Sequence, residues 1–260
     1  MTRTEGSRWA ERGYDIDVLV HGYPGKSVCH GSLGWSSIVL LRGQGRVALI
    51  DVGAFGIRRT LIDRLADRGL APADVTDVLL THSHYDHSIN WTLFSHARIV
   101  IGGAEIDWSV EVPWGETPVP ELYVKELRQW PTLVRAGDGD QVLPGISAHL
   151  TPGHTPGHLV YLLKGEARDL LFTGDAAKNR AELLTRGADM SLDPAQSAAS
   201  FDRIWQMWSA RNETILVPGH DLPMVQQDGV PRYLGEREAA IRAWYDESLE
   251  KTTIISLVNP

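Results

Sequence analysis

The segment Thr81-His82-Ser83-His84-Tyr85-Asp86-His87 places three histidines and one aspartate within six residues, directly after the short apolar run 78–80. Such polar groups are costly beside a buried strand unless something binds them. A solvated loop is the alternative interpretation, but it does not explain why His, Asp and Gly recur where later apolar runs end. The recurrences are Thr151-Pro152-Gly153-His154, Thr173-Gly174-Asp175 and Pro218-Gly219-His220. Together these segments predict a two-metal site.

The composition is typical of one globular domain spanning residues 1–260, with 43% hydrophobic and 22% charged residues. No linker-like change of composition divides the chain. The net charge of −8 disfavours nucleic acid as a partner, because nucleic-acid affinity depends on clustered Lys and Arg. Cys29 is the only cysteine, which excludes an internal disulfide and a zinc site built from several thiolates.

The two ends of the chain differ in pattern. Residues 1–16 are mostly polar and are expected to form a loose leader without the apolar core of a signal peptide. Since no apolar run approaches the ~20 residues that cross a bilayer, we expect a cytoplasmic protein that binds no membrane. Near the other end, apolar residues predict a C-terminal helix within 230–250, centred on Gly235 to Leu249.

Between the ends, short apolar runs and turn residues form two blocks, in each of which strands precede a helix. The clearest helix begins at Pro194, with Asp193 as its N-cap and Phe201 and Ile204 on its apolar stripe. The segment 104–136, which separates the blocks, carries tryptophans among acidic and turn residues. We interpret this irregular insertion as a partly helical cap over the site, with plain surface packing as the alternative.

The complete set of motifs, His-x-His-x-Asp-His at 82–87 followed by His154, Asp175 and His220, resembles the metallo-β-lactamase-fold hydrolase superfamily over roughly 18–222. The resemblance implies an α+β fold, the four-layer αββα sandwich, with metals at one edge between the two sheets. The two strand-rich blocks agree with two such halves packed face to face.

The resemblance also implies how two divalent metal ions would be held. His82, His84 and His154 would bind the first ion, Asp86, His87 and His220 the second, and Asp175 would bridge both. Zinc is the expected metal because it suits imidazole and is redox-inert, with manganese, iron or cobalt as alternatives. A metal-bridging hydroxide would attack the substrate, and Asp86 is the candidate catalytic residue that passes a proton to the leaving group. Asp51 is expected in a turn or supporting role, and His158 is not expected to be a ligand.

Within this fold, the β-lactamases lack an aspartate at the position of Asp175, whereas glyoxalase-II-like thioesterases and N-acyl homoserine lactonases share all seven ligands. The lactonases typically carry a tyrosine three residues after the bridging aspartate, where this chain has Lys178. Lys178 could stabilise a developing oxyanion, grip a substrate carboxylate or be a solvated charge. The candidates for an apolar wall around a small-molecule substrate are Tyr85, Trp35, Trp108 and Trp114.

The leading prediction is a dinuclear metal-dependent hydrolase that opens a lactone or a related carboxylic ester. The first alternative is phosphoester or thioester hydrolysis on the same site, and the second is a persulfide-dioxygenase-like enzyme with a single iron. A ligand sensor without turnover is the least favoured, because every ligand position is filled. A homodimer is a further option, since cap segments often form dimer contacts in the family.

Overall fold

A computed structural model describes residues 7–258 and shows two seven-stranded sheets packed face to face. The strands of the first half are β1 Arg8–Glu11, β2 Tyr14–Val20, β3 Lys26–Ser27, β4 Gly31–Ser32, β5 Ile38–Gly43, β6 Arg46–Ile50, β7 Asp77–Leu79, β8 Arg98–Gly102 and β9 Leu133–Ala136. Those of the second half are β10 Gln141–Leu143, β11 Ile146–Leu150, β12 Leu159–Leu163, β13 Leu170–Gly174, β14 Ile215–Pro218, β15 Met224–Gln227, β16 Val230–Tyr233, β17 Ala240–Ala243 and β18 Thr253–Ser256. The α-helices are α1 Arg58–Ala66, α2 Tyr85–Ser88, α3 Gly103–Glu111, α4 Glu121–Arg128, α5 Arg180–Thr185 and α6 Pro194–Ser209. Of these helices, none is long and apolar enough to cross a membrane.

The order and direction of the strands place the carboxyl ends of β7, β13 and β14 close together. The first sheet has the order β1-β2-β5-β6-β7-β8-β9, and its strands from β6 to β9 run parallel to one another. In the second sheet β10 to β16 lie in chain order, and β13 and β14 are parallel neighbours. Carboxyl ends of parallel strands share an edge, and loops at such edges are common positions for binding sites. The segments that follow β7, β13 and β14 are therefore placed close together.

Successive side chains of each strand point to opposite faces of its sheet, and the apolar ones form three layers. In β13, Leu170 and Phe172 are buried in the core between the two sheets, whereas Leu171 packs on the outer side with Phe201 and Ile204 of α6. A corresponding outer core lies between the first sheet and the helices α1, α3 and α4. The layers are therefore helix, sheet, sheet, helix, which confirms the predicted αββα sandwich.

The predicted loose leader is corrected by the structure, because residues 7–16 contribute to the first sheet. β1 pairs antiparallel with β2, and the side chains of Tyr14 and Ile16 are buried between the two sheets. The exposed Arg8 and Asp15 occupy outward positions of this edge hairpin, whose turn contains Gly13 with a φ of 75°. Residues 1–6 of that prediction lie outside the described residues.

The predicted C-terminal helix within 230–250 is wrong. β16 completes the second sheet by pairing with β15, and β17 pairs with β18 as a separate hairpin. A stable surface helix needs one buried face, but Trp244 is 55% exposed and Tyr245 is 75% exposed. Backbone pairing, which the apolar spacing alone does not reveal, organises this end of the chain.

The segment 104–136 is part of an outer layer of the sandwich. Ile106 of α3 and Val124 of α4 pack against the outer face of the first sheet, and the last four residues of the segment form β9. The predicted partly helical character is confirmed. The predicted position over the site is found only in part: Pro118 of this segment lines the cavity beside the site, whereas the apolar faces of both helices cover the sheet.

Candidate metal centre

Polar side chains from several strand ends converge at the edge between the two sheets. The segment from Thr81 to His87 follows β7, Asp175 follows β13, and His220 follows β14. His154 lies in the loop between β11 and β12. Tight backbone packing holds these loops together, since Gly174 has a φ of 47° and a Cβ there would overlap the Thr81 side chain. The local sequence thus combines buried strands with turns that only glycine adopts readily.

All seven residues predicted as metal ligands are brought together. They form three groups in which the nitrogen and oxygen atoms lie within 4.8 Å of one another. The groups are His82, His84 and His154; His82, His87 and Asp175; and Asp86, His87 and His220. Every member is buried except Asp86, which is partly exposed.

Asp175 connects these groups, because its two carboxylate oxygens face different histidines. Oδ2 lies 3.4 Å from His154 Nε2. Oδ1 lies 3.1 Å from His87 Nε2 and 3.2 Å from His220 Nε2. The carboxylate therefore spans the cluster in the way that one shared by two cations would.

The donor set fits divalent metal ions. His84 Nδ1 and His154 Nε2 are 3.0 Å apart, and the Nε2 atoms of His87 and His220 are 3.1 Å apart. Two ligands bound tetrahedrally to one ion at 2.0–2.1 Å are about 3.3 Å apart, so these separations approach those of shared coordination. In addition, His82 Nε2 is buried and has no hydrogen-bond partner among the described residues. Buried polar atoms of this kind call for a bound partner.

The neutral protonation state of the histidines in the first group also favours cation binding. Burial lowers the pKa of His82 and that of His84 well below the ordinary value, with contributions from neighbouring histidines. Neutral imidazole is the form that binds metal. Burial acts in the same direction on the pKa of His87, but the carboxylates of Asp175, Asp51 and Asp86 outweigh it and raise that pKa well above its ordinary value. This side of the cluster thus has a strongly negative local field that stabilises positive charge.

The cluster opens into a cavity of about 580 Å³. Apolar surface on its walls comes from Tyr23, Pro24, Pro118 and Met190, and the β3–β4 hairpin contributes to the rim. Met190 also orients the cluster, because its carbonyl oxygen lies 3.0 Å from His154 Nδ1. The cavity gives a small molecule access to the buried ligands.

Comparison with known families assigns this architecture. The model of the metallo-beta-lactamase superfamily matches residues 32–220. The chain belongs to the metallo-beta-lactamase superfamily. The match includes all the residues of the ligand cluster, and the predicted enzyme class, a metallo-hydrolase, is confirmed.

Proteins similar to this chain include a metallo-beta-lactamase domain-containing protein and N-acyl homoserine lactonases. The chain is 28% identical over 220 residues to metallo-beta-lactamase domain-containing protein 1 of Xenopus laevis, with 81% of each chain covered. It is 28% identical over 156 residues to an N-acyl homoserine lactonase of Bacillus cereus, with 59% of each covered. Among solved structures, the dizinc quorum-quenching lactonase AidC has the same fold, with a TM-score of 0.68 and 17% identity over 90% of this chain and 98% of that one.

Asp51 has the supporting role that the sequence predicts for this superfamily member. It adopts a φ of 54° at the end of β6, and its carboxylate accepts hydrogen bonds from the backbone N–H of Thr81 and the hydroxyl of Thr81, both at 2.8 Å. Its Oδ2 also lies 2.7 Å from His87 Nδ1. Because a carboxylate accepts from the Nδ1–H, this contact leaves His87 Nε2 free to face the cluster.

His158 belongs to none of the three ligand groups, but it supports the cluster by hydrogen bonding to the backbone at Asp175. Its Nε2 accepts hydrogen bonds from the backbone N–H groups of Asp175 at 3.0 Å and of Ala176 at 3.2 Å. Its Nδ1 lies 3.1 Å from Thr151 Oγ1. Burial lowers the pKa of His158 well below its ordinary value, which keeps Nε2 available as an acceptor. The sequence predicts that His158 is no ligand, but the repeated Pro-Gly-His motif gives no sign of this role.

We expect His158→Leu to lower the free energy of unfolding of the metal-free protein by about 3 kcal/mol, because two buried N–H groups lose their acceptor. Urea unfolding monitored by tryptophan fluorescence measures the effect. The exposed His30 provides a control, since His30→Leu should change stability by less than about 0.5 kcal/mol. Equal effects of the two substitutions would contradict the supporting role of His158.

The predicted substrate contacts at Trp35, Trp108 and Trp114 are corrected, because none of the three is among the residues that line the cavity. The Trp35 ring stacks on the Tyr23 ring, with 4.9 Å between the ring centroids. Trp35 therefore contacts a residue that lines the cavity and does not line the cavity itself. Trp108 packs against the outer core, and Trp114 is 63% exposed beside Lys125. Composition identifies aromatic side chains but does not show which side of an element they occupy.

Of the other two candidates, Tyr85 and Lys178 both line the cavity. The Lys178 ammonium group is already engaged, because it lies 3.0 Å from Glu182 Oε1 and donates to the carbonyl of Asp189. The Lys178 side chain is only 12% exposed, so the interpretation as a solvated charge is wrong. The carbonyl of the same residue accepts from the His220 N–H at 2.8 Å. Lys178 thus joins the loop beside the cavity to the ligand cluster.

Proposed function

We propose that this protein is a dinuclear metal-dependent hydrolase that opens a lactone or a related carboxylic ester of a small molecule. The observation that carries the proposal is the position of Asp175, whose two oxygens face separate histidine groups. A single-ion site has no need for a carboxylate placed in this way. The N-acyl homoserine lactonase of Bacillus cereus, a sequence relative, adds support for the substrate class.

In this proposal the two ions have separate protein ligands and one shared ligand. His82, His84 and His154 would hold the first ion, Asp86, His87 and His220 would hold the second, and Asp175, which lies near residues of both sets, would be shared. We propose zinc for both ions, and manganese, iron and cobalt are alternatives that imidazole and carboxylate ligands also accept. When bound, such a pair lowers the pKa of water and polarises the carbonyl oxygen of the substrate.

The protein contributes orientation and proton transfer. Asp86 has a side chain 19% exposed, compared with 6% for Asp175, and it lines the cavity. Since it is the carboxylate more accessible to a bound substrate, we assign Asp86 the delivery of a proton to the departing alkoxide. Its Oδ2 lies 3.3 Å from His220 Nε2, which holds the carboxylate at the edge of the cluster.

Cavity chemistry supports an acyl substrate over a polyanion. Tyr23, Pro24, Pro118 and Met190 offer apolar surface. The nearby ammonium group of Lys26 is paired with Asp189 at 2.6 Å, as Lys178 is with Glu182. Cations that would compensate several phosphate charges are therefore already neutralised by the protein.

A panel of four substrate classes tests this proposal. Zinc-loaded protein is assayed with N-acyl homoserine lactones, an aryl ester, a glutathione thioester and the chromogen bis(p-nitrophenyl) phosphate. The proposal predicts the highest kcat/KM for a lactone. A higher value for the phosphodiester or the thioester would assign the same centre to that reaction, and oxygen uptake with a persulfide would indicate iron-dependent oxidation.

We expect Tyr23→Ala to raise KM for an acyl lactone about tenfold, because loss of one aromatic wall removes roughly 1–2 kcal/mol of contact. The value of kcat should change much less, since Tyr23 belongs to none of the ligand groups. Steady-state kinetics measure both constants. Trp114→Ala is the matched control from the segment 104–136 and should leave KM within about twofold; a larger rise with Trp114→Ala would restore the predicted cap.

A further inference from the structure

A fully buried carboxylate outside the ligand groups lies close behind the cluster. Glu105 is in the first turn of α3, and its side chain has no exposed surface. An unpaired buried carboxylate is strongly unfavourable, so the partners of Glu105 indicate what it is for. Family membership and the ligand groups do not account for this residue.

The partners of Glu105 belong to both histidine-bearing loops. Oε1 accepts from the backbone N–H of Ser83 at 2.9 Å and from the Ser83 hydroxyl at 2.7 Å. Oε2 accepts from the backbone N–H of Gly157 at 3.1 Å. Ser83 lies between His82 and His84, and Gly157 lies in the loop that also carries His154. One carboxylate therefore joins the two segments that supply the first group of ligands.

Backbone packing leaves this connection little freedom. A Cβ at Gly157 would overlap the backbone of Glu105, and a Cβ at Gly102 would overlap the carbonyl of Gly157. The loop that carries His154 is therefore seated directly on the beginning of α3. A change in the position of Glu105 would therefore also move the loop that carries His84 and the loop that carries His154.

We propose that Glu105 is a positioning residue that sets the separation of His84 and His154 and thereby the metal affinity of the first group. These two side chains come from loops far apart in sequence, yet His84 Nδ1 and His154 Nε2 are 3.0 Å apart. The inference rests on the proposed two-ion function and concerns one of its two sites. The residues proposed to hold the second ion, Asp86, His87 and His220, which are called the second group here, have no hydrogen bond to Glu105 among the described contacts.

The three hydrogen bonds to Glu105 form only when both oxygens of its side chain are acceptors. All three partners are N–H or O–H donors, and an ionised carboxylate is an acceptor with two oxygens. In Glu105→Gln, the amide nitrogen must face a donor on one side or the other, whichever way the amide is turned. One of the two loops therefore loses its anchor while the volume of the side chain is unchanged.

The experiment places Glu105→Gln in two single-site backgrounds and measures the zinc dissociation constant by competition with a chromogenic chelator. His220→Ala removes a ligand of the second group, and His84→Ala removes a ligand of the first. We expect Glu105→Gln to weaken zinc binding about tenfold in the His220→Ala background and by less than about twofold in the His84→Ala background. Equal weakening in both backgrounds, or none in either, would overturn the proposal.

A matched control separates positioning from a general loss of stability. Asp77 is another fully buried carboxylate, paired with Arg98 at 2.6 Å at the opposite end of β7 from the histidines. Asp77→Asn should lower the melting temperature while leaving zinc affinity in both backgrounds within about twofold. A tenfold change in zinc affinity in Asp77→Asn would make the Glu105 effect a consequence of instability and overturn its assignment.

Two further measurements keep the result decisive. If Glu105→Gln does not fold, Ser83→Ala removes one of the same hydrogen bonds and should weaken zinc about threefold in the His220→Ala background only; an unchanged constant there overturns the proposal. The unsubstituted protein should bind two zinc ions per chain. A single ion would contradict the proposed dinuclear function, whereas two ions with no effect of Glu105→Gln would contradict the positioning role alone.

Discussion

Asp175→Asn is expected to lower kcat for lactone hydrolysis on the order of a thousandfold. A metal pair supplies several kcal/mol of transition-state stabilisation, and each 1.36 kcal/mol is a factor of ten in rate. The asparagine amide has one oxygen, so it cannot face His154 with one oxygen and His87 and His220 with another, as the carboxylate does at 3.1–3.4 Å. Its N–H₂ group would instead point a donor at one of the ions.

Steady-state kinetics and metal analysis of the same samples test this expectation. Asp175→Asn should retain fewer than two zinc ions per chain after gel filtration, whereas Asp77→Asn, a change to a buried carboxylate outside the ligand groups, should retain two. A variant at Asp175 with two tightly bound ions and kcat within tenfold of the unsubstituted protein would contradict the bridging role.

Removal of metal should abolish turnover and lower stability together. Prolonged dialysis against a strong chelator leaves buried histidines and the carboxylates of Asp86 and Asp175 without the cation that compensates them. Ligand present at a thousand times its dissociation constant stabilises the folded state by about 4 kcal/mol, so we expect the melting temperature to fall by about 10 °C, because 1 kcal/mol corresponds to roughly 2–4 °C in a chain of this size. Differential scanning calorimetry and an activity assay follow both changes.

Restoration then identifies the metal. Zinc added back to the chelated protein should recover both the melting temperature and turnover, and comparison with manganese, iron and cobalt ranks the alternatives. His84→Ala provides the control, because chelation should shift its melting temperature less. Turnover that persists after chelation, with no metal left by elemental analysis, would contradict a metal-dependent reaction.

The ligand cluster could be predicted from the sequence because each ligand follows a buried strand or a glycine turn at a fixed short distance. The pattern around His82, His84 and His87 is local, and the resemblance to a known superfamily supplies the pairing with the distant His154 and His220. The structure brings these side chains together as expected. Local motifs therefore carried the chemistry of this chain.

Other features depend on contacts that local patterns do not encode. The hydrogen bonds that His158 and Glu105 accept from loop backbone N–H groups arise only when α3 and the second sheet are packed against those loops. Tryptophans in the segment 104–136 were predicted beside the substrate, yet Trp108 packs on the first sheet. The spacing of apolar residues predicts a helix within 230–250, yet Ile241 lies in a strand and is 37% exposed. Sequence shows which residues are apolar, but the partner surface decides where they pack.

Opening of a lactone by the proposed two-ion centre produces a carboxylic acid, so proton release measures the proposed reaction. Zinc-loaded protein is mixed with a series of acyl lactones in weakly buffered solution containing a pH indicator, and His84→Ala prepared in the same way is the blank. We expect one proton to be released for each lactone opened, at a rate that depends on acyl chain length and falls by at least about a thousandfold in the blank. The absence of proton release from every lactone by protein that binds two zinc ions, or equal release by His84→Ala, would rule out the proposed lactonase function.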